Sequence, residues 1–303
     1  MYNRWFSVAV ILLWLSTMSW LVITKVVPPL LIGDPPSYRT ILDARRGGPP
    51  VGWSMDINGK EMGWALCEIT ALPQGLTEVH SQVHFDELPL EQMAPDWLRV
   101  ALKLTNQSSR LEMDAESWLV VDALGQLSRI ESLVRLDSIG NLIRLDGEIE
   151  GNQLKWEVKS GNFIYKDEAY LASDALVGDS LAPQTHLPGL RAGQTWTVPA
   201  YSPFRPPNNP IEILQATVEP LKSMSYNGRV EDVWLVEYRS DPGSGIGHHG
   251  APRERLWVRR DGTVLRQQVR LFDATITFTR LPRDQAVKLG NRVERNRAKH
   301  DRF

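Results

Sequence analysis

From Ser117 onward, turn signals recur about every ten residues along this chain, a spacing that marks short antiparallel strands. They are Ala123-Leu124-Gly125, Ser138-Ile139-Gly140-Asn141, Gly151-Asn152, Gly161-Asn162, Asn227-Gly228 and Asp261-Gly262. The runs between them alternate. Leu142, Arg144, Asp146, Glu148 and Glu150 fall on one side of a strand, and Ile143, Leu145 and Ile149 on the other. Leu265, Gln267, Val269 and Leu271 oppose Arg266, Gln268, Arg270 and Phe272 in the same way. Such strands have one wet face and one covered face, and they pair as an antiparallel meander. Upstream, Gly52–Ile57 and Glu61–Ile69 flank Asn58-Gly59, a strong signal for a two-residue hairpin, because both central residues of its turn need positive φ. A third strand is expected over Thr77–Leu88. Met93, Trp97, Leu98, Ala101 and Leu102 recur at helical spacing with Pro95 in a first turn, which predicts one amphipathic helix within 91–105. No longer period of about twenty to fifty residues repeats, so a propeller or solenoid is not indicated.

The N-terminus is of another kind. Trp5 to Ile23 runs nineteen residues without a charge between Arg4 and Lys25, enough to cross a bilayer as a helix. A cleaved signal peptide is the competing reading. The run is long for a signal core, carries Trp14 and Trp20, and shows no small-x-small exit before Lys25, so retention as an anchor over 1–27 is expected. The positive-inside count, Arg4 before the span against Lys25, Arg39, Arg45 and Arg46 after it, would place the domain in the cytoplasm. A four-residue leading tail before an apolar core instead resembles a signal-anchor. That favours a single-pass protein of the bacterial inner membrane with its domain facing the periplasm. Pro28-Pro29, Pro35-Pro36 and Gly47-Gly48-Pro49-Pro50 mark 28–50 as a linker. Residues 51–282 form the β-domain. In 283–303, Arg283, Lys288, Arg292, Arg295, Arg297, Lys299 and Arg302 stand against Asp284, Glu294 and Asp301, which reads as a basic, flexible tail.

Motifs for chemistry are sparse. The formal net charge of −2 gives no field to gather nucleic acid. The lone cysteine, Cys67, allows no internal disulfide and sits in an apolar run as a buried small hydrophobe. His80 and His84 share one strand face with Asp86, but alternate positions lie about 7 Å apart and rarely share a metal. Gly245-x-Gly247-x-x-Gly250 matches a dinucleotide fingerprint in form, yet a strand rather than a helix follows Pro252; a long hairpin loop presenting His248 and His249 is the better reading. Asp114 and Glu116 near Trp118 form an acid pair of the kind that chance supplies among 36 acids. No nucleophile elbow, P-loop or zincin helix is present, so the expectation is a non-enzymatic protein without cofactor or metal.

Eleven tryptophans are many for 303 residues. Outside the anchor they fall nearly one per predicted element, and either fill a core or line a cavity. Trp118, Trp156, Trp196 and Trp234 are the candidates for contacting an apolar ligand.

Two local motifs carry a resemblance: Leu187-Pro-Gly-Leu-Arg-Ala-Gly193-Gln-Thr-Trp196-Thr-Val, and Leu256-Trp-Val-Arg-Arg-Asp-Gly262-Thr-Val-Leu-Arg. With the hairpins before them they resemble the bacterial lipoprotein-carrier-like envelope proteins. The resemblance implies a large curved antiparallel sheet, a half-barrel, wrapping one or two short helices around an apolar concavity. It also implies an apolar or lipid-like ligand. Here the anchor would limit any hand-over to linker reach. The alternative role is a structural or accessory subunit of a membrane protein complex, acting through the sheet edge, the 241–252 loop or the basic tail.

Overall fold

The computed structural model describes residues 4–27, 36–45, 47–88, 111–136, 140–171, 177–179, 182–201, 211–240, 251–271 and 274–300. The amphipathic helix expected within 91–105 and the glycine-rich loop with His248 and His249 lie outside the described residues. Helix α1 (Arg4–Leu21) continues as a single π-helical stretch through Val26, and its side chains from Trp5 to Lys25 are exposed. Among the described residues nothing packs on this helix, and by length and composition it could be a membrane anchor or a signal sequence.

The remainder is built on one large curved sheet of sixteen strands. Its N-terminal arm is a meander: β1 (Val51–Ile57), β2 (Lys60–Ala71), β3 (Thr77–Leu88), β4 (Leu111–Val121), β5 (Leu127–Leu136), β6 (Gly140–Glu150), β7 (Gln153–Ser160) and β8 (Phe163–Tyr170). The C-terminal arm holds β9 (Gly178–Asp179), β10 (Thr195–Tyr201), β11 (Ile211–Val218), β12 (Lys222–Tyr226), β13 (Arg229–Ser240), β14 (Glu254–Arg259), β15 (Val264–Leu271) and β16 (Ala274–Arg280). β1 pairs with β16, which joins the arms, and β8 and β9 end the strand order. All pairings are antiparallel except β9 with β10. Asn58 and Gly59 take φ 51° and 85°, as the hairpin signal requires. Edge strand β8 exposes Phe163, Ile164 and Tyr170, but Lys166, Asp167 and Glu168 between them disfavour pairing with a stray strand.

Register builds the core. Trp53, Ala65, Val83, Ala115, Val134 and Ile143 lie opposite one another in turn across β1 to β6, all buried. The neighbouring row of the same face is small and partly polar: Cys67, Ser81, Ser117 and Ser132. Register shifts at Met55/Asp56, Val120/Val121, Val134/Arg135 and Trp257/Val258 mark bulges, which add twist and bend the sheet.

Two segments differ from expectation. The linker 28–50 contains helix α2 (Tyr38–Arg45), whose Tyr38, Ile41 and Leu42 are buried in the core. The 283–303 segment, read as a flexible tail, forms helix α3 (Arg283–His300). Its Ala286, Leu289 and Gly290 are buried, with Ala286 over Gly52 of β1, on the face opposite Trp53. In both cases a short i, i+3, i+4 stripe suffices, because the sheet supplies the apolar partner that an isolated helix lacks.

Candidate functional site

The site that the sheet creates is a cavity of about 110 Å³ beneath α2. Tyr38, Ile41 and Leu42 form its helical wall; Ile69, Val79 and Leu119 line it from the N-terminal arm, and Val198, Ala200 and Leu214 from the C-terminal arm. The parity of each strand decides this. Ile69, Val79 and Leu119 are directly opposite in register, on the same face as the serine row, and that row's short side chains leave space for a helix to enter. Tyr38 pins the helix from within: its hydroxyl donates to the Val177 carbonyl and accepts from the Val177 N–H, both at 3.0 Å.

The cavity's polar groups are few and mostly occupied. Gln267, 2% exposed, accepts from Gln184 N–H at 2.7 Å and donates to Glu254 Oε1 at 2.8 Å, which is how an amide sits on the buried face of β15. Burial holds the Tyr238 hydroxyl far above its usual range. Ser81 Oγ donates to Cys67 Sγ at 3.5 Å, and burial pushes the Cys67 thiol up, so it stays protonated and a poor nucleophile. The space is thus mainly aliphatic, and most of its few polar groups are hydrogen-bonded within the protein.

The four candidate tryptophans do not converge. Trp156 and Trp196 are buried on the cavity face, and Trp196 meets Tyr238 edge to face at 6.2 Å. Trp234 packs against the core from β13. Trp118 lies on the opposite face, stacked on His80 at 5.0 Å. None of the four lines the cavity, although Tyr238 places Trp196 one residue behind its wall. The residues that sequence reasoning missed are those of α2, and the signal was present in Tyr38-x-x-Ile41-Leu42, a helical stripe between the proline and glycine clusters.

His80 and His84 share a face as expected, and each is tied to a strand neighbour. His84 stacks on Trp64 at 5.5 Å, and its Nδ1 lies 2.8 Å from Asp114 Oδ1; His80 Nε2 lies 3.6 Å from Glu116, which Arg135 also binds. Asp114 and Glu116 are thus partners of histidines rather than of each other. Among the described residues, no group of three or more such side chains could hold a metal ion. The hydrogen bond to Asp114 raises the His84 pKa above its ordinary 6.5 against the opposing effect of burial. This pair therefore stabilises the fold fully below that ordinary value and ceases to do so as pH climbs through the raised one. An NMR titration of the His84 ring is expected to give a midpoint above 6.5, with Asp114→Asn returning it toward 6.5; a midpoint at or below 6.5 in the parent protein would contradict the pairing.

No family model matches the chain, and no curated protein sequence matches it. Among solved structures the chain is similar to a β-barrel-like protein of domain of unknown function DUF1849 from Brucella abortus, at 9% identity and TM-score 0.45, over 77% of this chain and 94% of that one. It is also similar to a DUF1089 family protein from Pseudomonas aeruginosa, at 17% identity and TM-score 0.34, over 67% and 88% of the two chains. The hypothetical lipoprotein YmcC from Escherichia coli is similar at 13% identity and TM-score 0.29, over 77% and 86%.

Proposed function

We propose that this chain is a membrane-tethered, non-catalytic binding protein of the bacterial envelope that takes an apolar, acyl-like ligand in the cavity beneath α2, with its β-domain on the extracytoplasmic side. The observation that carries this reading is the cavity itself, an aliphatic space inside a bent sheet, capped by a helix only eight residues long. Helix α1 supports the tether, being long and apolar enough to cross a bilayer. The buried thiol of Cys67 supports binding over chemistry, because burial outweighs the influences that would favour its thiolate. At about 110 Å³ the space is comparable with cavities of roughly 150 Å³ that stay dry and accept a benzene ring, so a short chain or chain end fits without movement of α2.

Tritiated 1-octanol tests this directly. Full-length protein in lipid nanodiscs is expected to bind it saturably above the background of empty nanodiscs. Leu119→Trp, which fills the cavity from its wall, is expected to remove that binding. Counts equal to empty nanodiscs would sink the reading.

A further inference from the structure

Among the described residues, Arg45 and Arg280 stand near this cavity with no acid beside them. Arg45 ends α2 and donates from Nη2 to the Pro49 carbonyl at 2.8 Å; its Nε is buried and makes no hydrogen bond. Arg280, on β16, donates from Nη1 to the carbonyls of Thr185 at 2.8 Å and Val264 at 3.2 Å, with its guanidinium over the Trp53 ring at 5.6 Å from the centroid. Among the described residues neither makes an ion pair with a carboxylate. Arg259, a third guanidinium within electrostatic reach of Arg280, is already held by Glu231 at 3.3 Å and Asp261 at 3.7 Å.

Two links join this pair to the cavity. Thr185, whose carbonyl Arg280 binds, lines the space. So does Cys67, whose thiol feels the charge of both arginines. Folding has thus brought two like charges into a partly dehydrated place next to an aliphatic chamber. Burial is the main reason the Arg280 pKa is pushed down to about 10, and the nearby Arg45 adds to it. Buried cations are ordinarily paired, because an uncompensated one is costly, and a guanidinium offers a fork that fits a carboxylate or phosphate.

We propose that the ligand of the cavity is an anionic amphiphile, a carboxylate or phosphate monoester whose head is met by Arg45 and Arg280 while its hydrocarbon end occupies the space lined by Ile69, Val79 and Leu119. The proposal rests on the binding reading above and names its ligand class. Arg280 also acts as a strut, tying Thr185 and Val264 to β16. A strut alone does not need Arg45, nor does it distinguish a charged head from a neutral one.

The experiment compares octanoate, octyl phosphate, 1-octanol and inorganic phosphate on the full-length protein in nanodiscs at neutral pH. Octanoate and octyl phosphate are each expected to bind at least about tenfold more tightly than 1-octanol, the difference between an anionic and a neutral acceptor for the guanidinium donors. Arg45→Gln is expected to bring that preference to within about threefold by weakening octanoate and octyl phosphate more than 1-octanol. Arg280→Gln does the same where it remains folded, and Arg45→Gln, which leaves the strut in place, decides the matter where it does not. Equal binding of octanol and octanoate overturns the anionic head but leaves the cavity reading intact. Displacement of octanoate by equal concentrations of inorganic phosphate overturns the amphiphile in favour of a free anion. Failure of all three chain compounds to bind removes the underlying reading, and this one with it.

Discussion

Gly63→Ala is expected to destabilise the β-domain by about 4 kcal/mol or more, which for a domain of this size lowers the melting temperature by roughly 10 °C. Gly63 sits in β2 with φ +154°, next to the register shift at Met55/Asp56. A Cβ placed there would lie 1.9 Å from the His84 carbonyl oxygen and 2.9 Å from Met55 Cε. The methionine tip can swing away. The carbonyl cannot, because β3 is held in register on both sides, by β2 through Trp64↔His84 and by β4 through His84↔Asp114. Relief would require parting two strands at a bulge where the sheet turns. Thermal melts followed by tryptophan fluorescence in detergent would measure the effect, and Met55→Leu in the same chain should not rescue it. A Gly63→Ala protein that melts within about 3 °C of the parent would show that β3 yields at this point.

That glycine marks the limit of what the residues disclose by themselves. Alternation and turn chemistry are local, so the hairpin at Asn58-Gly59, the span of β3 over Thr77–Leu88 and the opposed faces of β6 were legible, with Ile143 and Leu145 buried and Arg144 and Glu148 exposed. Parity tells which residues share a face. It does not tell which face is inward, and so Trp118, one residue from the cavity-lining Leu119, was grouped with tryptophans of the other side. The pairing of β1 with β16 joins residues more than two hundred positions apart, as with Trp53 and Arg280, and no local pattern encodes it. The same applies to α2 and α3. Each has a weak stripe that becomes a helix only against a surface assembled from distant strands, and the charges of 283–303 masked Ala286, Leu289 and Gly290. The arginine pair was hidden for this reason too, since Arg45 lay in a presumed linker and Arg280 among many surface cations.

Trp53→Ala is the second change expected to be severe, at about 3–5 kcal/mol, in contrast to Trp53→Phe at less than about 1.5 kcal/mol. Trp53 is fully buried on β1, opposite Ala65 on one side and Arg280 on the other. Removing the indole leaves a void that small neighbours such as Ala65 cannot fill, and takes away the ring on which the Arg280 guanidinium rests. The phenyl ring keeps most of the volume and an aromatic face. It also deletes an indole N–H that is buried without a hydrogen-bond partner, so no compensating bond is lost. Urea unfolding of the two variants should therefore separate them widely. If Trp53→Phe proved as damaging as Trp53→Ala, the N–H would have to be bonded in the native protein, by a water or by the ligand itself. The consequence reaches the cavity. With the ring gone, Arg280 keeps its two carbonyl acceptors but loses the platform that fixes its plane, so Trp53→Ala protein that still folds is expected to bind octanoate and 1-octanol with more nearly equal affinity.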